Sequence, residues 1–161
     1  MNIAIPREDH PGESRVPLIP EHVAKLAAAG ADISIESELG RPLQIADDAY
    51  TDAGAKTFDD RIALLHNADM VLRIRKPNLE EVGRLKKGCI YVSLLDPFNE
   101  RELIEMFVTE GISAISMEMI PRITRAQKMD VLSSQANLAG YVAVVIAAER
   151  IKKIFPMMMT P

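Results

Sequence analysis

Side chains able to bind a polar ligand are concentrated in one segment, Pro121–Asn137. The segment combines guanidinium, amide, carboxylate and hydroxyl groups, a mixture typical of neither a hydrophobic core nor a plain solvent-facing turn. Groups of these types hold a polar ligand through several directed hydrogen bonds. We therefore take this segment as the candidate site.

The spacing within the segment allows two interpretations. Gln127, Asp130 and Ser133 are three residues apart, so they share one face if the chain is already helical there. In the first interpretation these three residues and Arg122 form a ligand site. In the second the segment is an ordinary helix entry, capped by Asp130 or Ser133, with Arg122 and Arg125 solvated.

Arginines near the ends of two predicted strands also allow two interpretations each. Arg15 follows the first strand and either holds an anionic ligand in a bidentate fork or ties its loop to a carboxylate of the same domain. The run Arg73–Pro77 either binds substrate or is a solvated strand end. In both cases we favour the second of the two interpretations.

These segments lie in a chain that alternates β-like and helical runs, as βαβ units do. The predicted strands are 2–5, 33–36, 70–74, 90–95 and 112–117. The predicted helices are 21–29, 59–66, 79–85 and 100–110, the last capped by Asn99. A further short helix is capped by Asp47 or Asp48. Gly30, Gly88 and Gly111 each precede a strand. We predict an α/β fold with a mostly parallel sheet and helices on both faces, its strand order unreadable.

Ligands bind such sheets beyond the carboxyl ends of the strands. The loops there are 6–19, 75–78, 96–99 and 118–132, which are rich in charge and proline. A long helix is predicted from Ala136 to about Lys153. We expect an N-terminal α/β domain over 1–132, followed over 133–161 by this connecting helix and the lead-in to a further domain.

Composition narrows the function classes. The net charge of −4 and pI of about 5.4, with dispersed basic residues, argue against a nucleic-acid partner. Cys89, the single cysteine, indicates a reducing compartment and reads as a small core residue rather than a nucleophile. The three histidines share no ligand spacing, so no metal site is predicted. The sequence has neither G-x-G-x-x-G nor a P-loop.

No secretory signal is recognised at the start of the sequence. The longest low-charge stretch, Ser133–Ala148, is shorter than the roughly 20 residues of a membrane span, so we expect a cytoplasmic protein. The end, Phe155–Pro161, is apolar, which suggests either a cut or an end that docks onto something.

Three parts of the sequence carry a family resemblance. Pro121–Asp130 together with Leu132–Tyr141 closely resembles a segment of the alpha subunit of proton-translocating NAD(P) transhydrogenase. The start agrees, in Ile3–Glu8 and Pro11–Val16, and so does the end, in Phe155–Thr160. The resemblance covers the whole chain.

This resemblance implies the first half of an NAD(H)-binding component with two Rossmann-like halves, the glycine-rich half being absent here. The enzyme passes hydride between NAD(H) and NADP(H), the latter on a separate component, and a membrane component couples this to proton movement. Arg122, Gln127, Asp130 and Ser133 would surround the nicotinamide of NAD(H), with Gln127 facing the incoming NADP(H) component. The cofactors carry the chemistry, so these residues orient rather than react.

The resemblance also implies the assembly. The full-length subunit is expected to be a homodimer, peripheral to the inner membrane through its NADP(H)-binding and membrane partners. The 161-residue chain alone is expected to bind NAD(H) weakly or not at all and to be inactive. It is then a fragment, a split subunit or a non-catalytic module that keeps the fold.

Alanine dehydrogenase is the alternative, since that family has the same layout of two halves. Arg15 matches its arginine and Arg75 lies near its lysine, both of which surround the keto acid. Ser93–Pro97 contains no histidine where that family has an acid/base. The Arg122–Ser134 run also favours transhydrogenase.

Overall fold

Six short strands form one parallel sheet in the computed structural model, which describes residues 1–155. The strands are β1 (Asn2–Ile5), β2 (Asp32–Glu36), β3 (Ala55–Phe58), β4 (Met70–Leu72), β5 (Ile90–Ser93) and β6 (Ser113–Ser116). Their order across the sheet is β3-β2-β1-β4-β5-β6. The predicted α/β class with a parallel sheet is thus confirmed, and the order is that of a doubly wound dinucleotide-binding fold.

Helices connect the strands and pack on both faces of the sheet. They are α1 (Pro20–Ala28), α2 (Asp47–Asp52), α3 (Arg61–His66), α4 (Leu79–Val82), α5 (Arg101–Thr109) and α6 (Val131–Arg150). One core cluster joins Val23 of α1 and Tyr50 of α2 to β1 and β2. A second cluster, on the other face, joins α3, α4 and α5 to Val71 and Tyr91. The sheet is therefore covered on one face by α1 and α2 and on the other by α3 to α5.

Two of the three predicted glycine stops end helices as expected. Gly30 follows α1 and Gly111 follows α5, and both have a positive φ, where glycine is favoured because it lacks a Cβ. The third prediction was wrong, since α4 ends at Val82, well before Gly88. Gly88 instead has a φ of 85° in the turn before β5.

Two predicted N-caps were also wrong. Ala46 is the N-cap of α2, and the carboxylate of Asp47 instead accepts a hydrogen bond from the backbone of Glu38. The N-cap of α5 is Glu100 rather than Asn99, whose side-chain amide donates to Asp96. In each case the side chain that could have capped the helix forms a hydrogen bond with a loop residue instead.

The last helix begins earlier than predicted and is longer. It starts at Val131 rather than Ala136, because Asp130 caps it, and it ends at Arg150. Helix α6 has 20 residues, a mean hydropathy of 1.5 and no buried residue. By length and composition only, it could cross a membrane. The length argument made from Ser133–Ala148 was therefore wrong.

The chain divides into two compact units, Met1–Met117 and a second that begins at Glu118. The first contains the whole sheet and α1 to α5. The second contains a 3₁₀ helix over Thr124–Met129 and then α6. The boundary at residue 132, drawn from the sequence, stays a prediction, and most of the apolar end, Pro156–Pro161, lies outside the described residues.

Candidate functional site

The strand order places the switch point of the sheet between β1 and β4. In doubly wound sheets the ligand crevice lies there, beyond the carboxyl ends of the strands, and glycines let a nucleotide phosphate approach the backbone. Here the turn after β1 is Pro6-Arg7-Glu8-Asp9, and β2 ends in Glu36. Charged side chains therefore occupy the position of the glycine-rich turn.

Arg73, directly after β4, is the centre of a buried ionic cluster. Its side chain is fully buried, and its two terminal nitrogens lie 2.7 Å from a carboxylate oxygen of Glu81 and 2.6 Å from one of Asp9. Glu8 lies 3.2 Å from the same guanidinium and also accepts the backbone N–H of Ile74 at 2.6 Å. Arg73 thus joins the loop after β1 to helix α4.

Electrostatics reinforce this arrangement. Burial by itself lowers the pKa of Arg73, but attraction to the charges of Glu81 and Glu8 and the hydrogen bond to Asp9 outweigh it and raise that pKa. The Tyr91 hydroxyl donates to Glu81 at 2.8 Å, and burial raises the pKa of this phenol, as does the neighbouring Glu81 charge. Arg73 therefore stays a cation and Tyr91 a neutral donor at any physiological pH.

A second part of the cluster surrounds Glu36, which is almost fully buried. Its carboxylate accepts the backbone N–H of Arg7 at 2.7 Å and the Nε–H groups of Arg7 and Arg61 at 3.1 and 2.9 Å. Arg61 also donates to the backbone carbonyl of Arg7. In a dinucleotide-binding half, an acid at this strand end serves the ribose. Here its oxygens are engaged by the protein itself.

The cluster makes the switch point of this domain a poor nucleotide site. Its three guanidiniums are matched by four carboxylates, those of Glu8, Asp9, Glu36 and Glu81, so the cluster offers no excess positive charge to a pyrophosphate. The solvated strand end predicted for the Arg73–Pro77 run was wrong for Arg73 itself. Sequence reasoning missed this cluster, although charged residues at the ends of three neighbouring strands were a visible signal.

Arg15 and Arg75 meet on a single carboxylate, that of Glu13. The Glu13 oxygens accept from Arg15 at 2.7 and 2.6 Å and from Arg75 at 2.9 Å. The hydrogen bond from Arg15 is the main reason that the pKa of Glu13 falls to about 2. The structure thus realises the predicted tie between Arg15 and a carboxylate of its own domain. It also brings together the two basic residues singled out by the resemblance to alanine dehydrogenase.

The candidate segment lies in the second unit and leads into α6. Asp130 is the N-cap of α6, and its carboxylate accepts the backbone N–H of Ser133 at 2.9 Å. Hydrogen bonds from Ser133 and the nearby Arg122 charge lower the pKa of Asp130, so it is a carboxylate at neutral pH. Asp130 and Ser133 therefore meet at the start of the helix, and the charge of Arg122 is near enough to act on Asp130.

Gln127 is exposed and lies in the 3₁₀ helix over Thr124–Met129, between Arg122 and Asp130 in the chain. Its backbone carbonyl accepts the N–H of Asp130 at 3.4 Å, so the two residues are held one turn apart. The capping role of Asp130 agrees with the helix-entry interpretation, and it leaves the side chains of Arg122 and Gln127 accessible. The ligand-site assignment for these four residues remains a prediction.

Cys89 directly precedes β5 and is fully buried in the core. Burial raises the pKa of its thiol to about 11, so it is protonated at neutral pH. The predicted structural role of this residue is confirmed. Within residues 1–155, no three side chains of the His, Cys, Asp and Glu types come together as they would around a metal ion.

The strand order, the charged switch point and the helical segment after β6 define a doubly wound α/β domain that lacks its own phosphate-binding loop. Residues 4–139 match the family model described as alanine dehydrogenase/PNT, N-terminal domain. The chain belongs to this family.

Transhydrogenases are the more similar of the two kinds of relative. An NAD(P) transhydrogenase alpha-subunit chain of Rhodospirillum rubrum is 42% identical over 99% of this chain and 43% of its own length. The crystal structure of transhydrogenase from Sinorhizobium meliloti matches with a TM-score of 0.89 and 40% identity, covering 99% of this chain and 48% of that one. Alanine dehydrogenase of Staphylococcus saprophyticus is 30% identical over 95% of this chain and 40% of its own length. The chain therefore spans less than half the length of these relatives, and the resemblance seen in the sequence is confirmed.

Proposed function

We propose that this chain is the N-terminal portion of the NAD(H)-binding component of NAD(P) transhydrogenase, and that it orients NAD(H) for hydride transfer to NADP(H). The observation that carries the proposal is the match to a transhydrogenase alpha subunit along 99% of the chain. The membrane and NADP(H)-binding partners of this component would couple the reaction to proton movement. The component would then be cytoplasmic and peripheral to the membrane.

The two units would have different tasks in this component. The guanidiniums of the ionic cluster at the switch point are already engaged by carboxylates, so the phosphates of NAD(H) would be held by a second half. Arg122, Gln127, Asp130 and Ser133 supply the donors and acceptors that suit a carboxamide and ribose hydroxyls. Bound NAD(H) would supply the hydride, and these side chains would fix the position of its nicotinamide.

The test separates binding from orientation. The isolated chain is titrated with NADH, and the change in NADH fluorescence reports binding. We expect weak or no binding. A fusion of this chain to the unmatched segment of the Rhodospirillum rubrum relative is then mixed with the NADP(H)-binding component, and hydride exchange between NADH and an NADP analogue is followed. We expect exchange by the fusion and none by the chain alone.

Two substitutions probe the candidate segment in this fusion. Gln127→Asn shortens an exposed side chain, and Asp130→Asn removes the charge but keeps a residue that caps helices equally well. Each should lower the exchange rate by about ten- to a hundredfold, the scale of a misplaced reactant, with little effect on stability. Lys128→Gln, in the same 3₁₀ helix, is the control. Unchanged rates in both variants would refute the site assignment.

One observation favours a second function, an alanine dehydrogenase-like reaction. Arg15 and Arg75 lie together on Glu13, as basic residues around a keto acid do in that resemblance. Assaying the same fusion with pyruvate, ammonium and NADH distinguishes the two functions. Oxidation of NADH in that assay, without hydride exchange to the NADP analogue, would favour the dehydrogenase.

A further inference from the structure

A single residue of the second unit is buried. From Glu118 to Phe155, where the description of that unit ends, every residue is exposed or partly exposed except Ala126, which is 5% exposed. Ala126 lies within the 3₁₀ helix over Thr124–Met129 and directly precedes Gln127. It is therefore the residue through which this helix contacts the protein interior.

The geometry of a 3₁₀ helix links the burial of Ala126 to the direction of Gln127. Such a helix has three residues per turn, so side chains three positions apart lie in one row. Ile123 and Met129 share the row of Ala126 and are 55% and 52% exposed, so burial is confined to the alanine. Gln127 lies in the next row, about 120° around the axis, in line with Asp130. Burial of Ala126 thus turns Gln127 toward solvent.

The backbone of this 3₁₀ helix does little to hold it in place. At six residues it is longer than most, since the poorer hydrogen-bond geometry makes runs beyond three or four residues uncommon. The Ala126 N–H donates to the Ile123 carbonyl at 2.9 Å, but the bond from the Asp130 N–H to the Gln127 carbonyl is 3.4 Å long. The position of Gln127 therefore depends on how the neighbouring alanine is packed.

We propose that Ala126 is a positioning residue for hydride transfer. Its small buried side chain sets the depth and rotation of the 3₁₀ helix, and so the place of Gln127 and Asp130 at the nicotinamide; the identity of this ligand rests on the proposed function. A larger side chain at a 5% exposed position must lift or rotate the helix. A misplacement of about 1 Å can cost about a hundredfold in rate.

The first arm of the test observes position 127 in this chain, with no cofactor added. Gln127→Cys supplies one reactive thiol for a nitroxide label, because Cys89, the only native cysteine, is fully buried. Ala126→Leu enlarges the buried neighbour of the label, and Lys128→Leu, the matched control, introduces the same side chain at its exposed neighbour. We expect the electron paramagnetic resonance spectrum to gain a mobile component in Ala126→Leu and to keep its shape in Lys128→Leu.

The second arm measures hydride exchange in the fusion described above, with glutamine at position 127. Ala126→Leu should lower the exchange rate by about ten- to a hundredfold. The dissociation constant for NADH should stay unchanged, because the second half would hold the phosphates. Ala126→Ser, which is nearly the size of alanine, should exchange like the wild type, and Ala126→Val should lie between. A purely structural role would lower the melting temperature without separating rate from binding in this way.

Two results overturn the proposal. One is a label spectrum that neither Ala126→Leu nor Ala126→Val alters, and the other is an exchange rate that stays at the wild-type value in both. The valine variant decides the matter if a thermal melt shows that the leucine variant does not fold.

Failure of the proposed function looks different. If the wild-type fusion exchanges no hydride while the label becomes mobile in Ala126→Leu, the transhydrogenase role is refuted and the placement of Gln127 by Ala126 stands. If the wild-type fusion exchanges hydride and Ala126→Leu does so equally well, the transhydrogenase role stands and Ala126 has no part in it. Measuring the spectrum and the exchange rate therefore tests the two proposals separately.

Discussion

Replacing Arg73 with methionine is expected to destabilise the first unit by about 3 kcal/mol, because it leaves buried carboxylates without their shared cation. The Arg73 side chain is fully buried, and Glu8 and Glu81 are each 4% exposed. Breaking a buried pair from one side typically costs about 3–5 kcal/mol. The partners that remain place this case at the low end: Glu81 keeps the Tyr91 hydroxyl at 2.8 Å, and Glu8 keeps the Ile74 N–H at 2.6 Å.

Urea unfolding followed by far-UV circular dichroism measures this loss, and the melting temperature should fall by roughly 10 °C. Arg101→Met is the matched control, since Arg101 is 90% exposed and pairs with Glu105 on the surface of α5. Its cost should stay below about 1 kcal/mol.

The double variant Arg73→Met/Glu81→Gln separates stranded charge from lost packing. It should recover about 1–2 kcal/mol relative to the sum of the single changes, because it removes one of the stranded carboxylates. A cost below about 1 kcal/mol for Arg73→Met, or strict additivity in the double variant, would show that the cluster is not held together as the distances indicate.

Three further outcomes follow from the same structure. The pKa of Glu13 falls from 4.5 to about 2, so the stability it contributes is present above pH 4.5 and lost as pH falls toward 2; Glu13→Gln should flatten acid unfolding curves over that range. The Cys89 thiol, with its pKa raised from 9.0 to about 11, should react at least about a hundredfold more slowly with a disulfide reagent at pH 8 than in urea, and equal rates would contradict its burial. Gly40→Ala places a Cβ 2.5 Å from the Ile45 carbonyl oxygen and 2.8 Å from the Tyr50 ring, so it should cost about 1–3 kcal/mol in the same unfolding assay; Gly83→Ala, where φ is −65° and the nearest atom lies at 3.5 Å, is the control.

The alternation of apolar runs and glycine stops was enough to predict five of the six strands, because each of those predicted runs contains at least two large aliphatic residues. The missing strand, β3, reads Ala55-Lys56-Thr57-Phe58 and lies at the edge of the sheet. Two of its four residues are exposed, so it carries almost no apolar signal. Its place is decided by pairing with β2, a contact that the local sequence does not encode.

The candidate segment was located from its residue types, since a dense mixture of polar groups before an apolar helix is visible in the sequence itself. The ionic cluster was not, because Glu8 and Arg73 lie 65 residues apart and their burial depends on the order of the strands. Solvation of a strand end is the ordinary outcome for arginine. Only the placement of β4 beside β1 makes Arg73 a core residue.

The central position of β1 has a consequence for synthesis on the ribosome. Its partner on one side, β2, is complete by residue 36, but β4, on its other side, begins only at residue 70. At about 5–20 residues per second, that edge of β1 waits several seconds for its neighbour. During this interval the backbone groups of Ile3 and Ala4 present an open template to any other extended chain. Rapid translation of the first 72 residues should therefore raise the soluble yield, and a slow-codon stretch before Met70 should lower it.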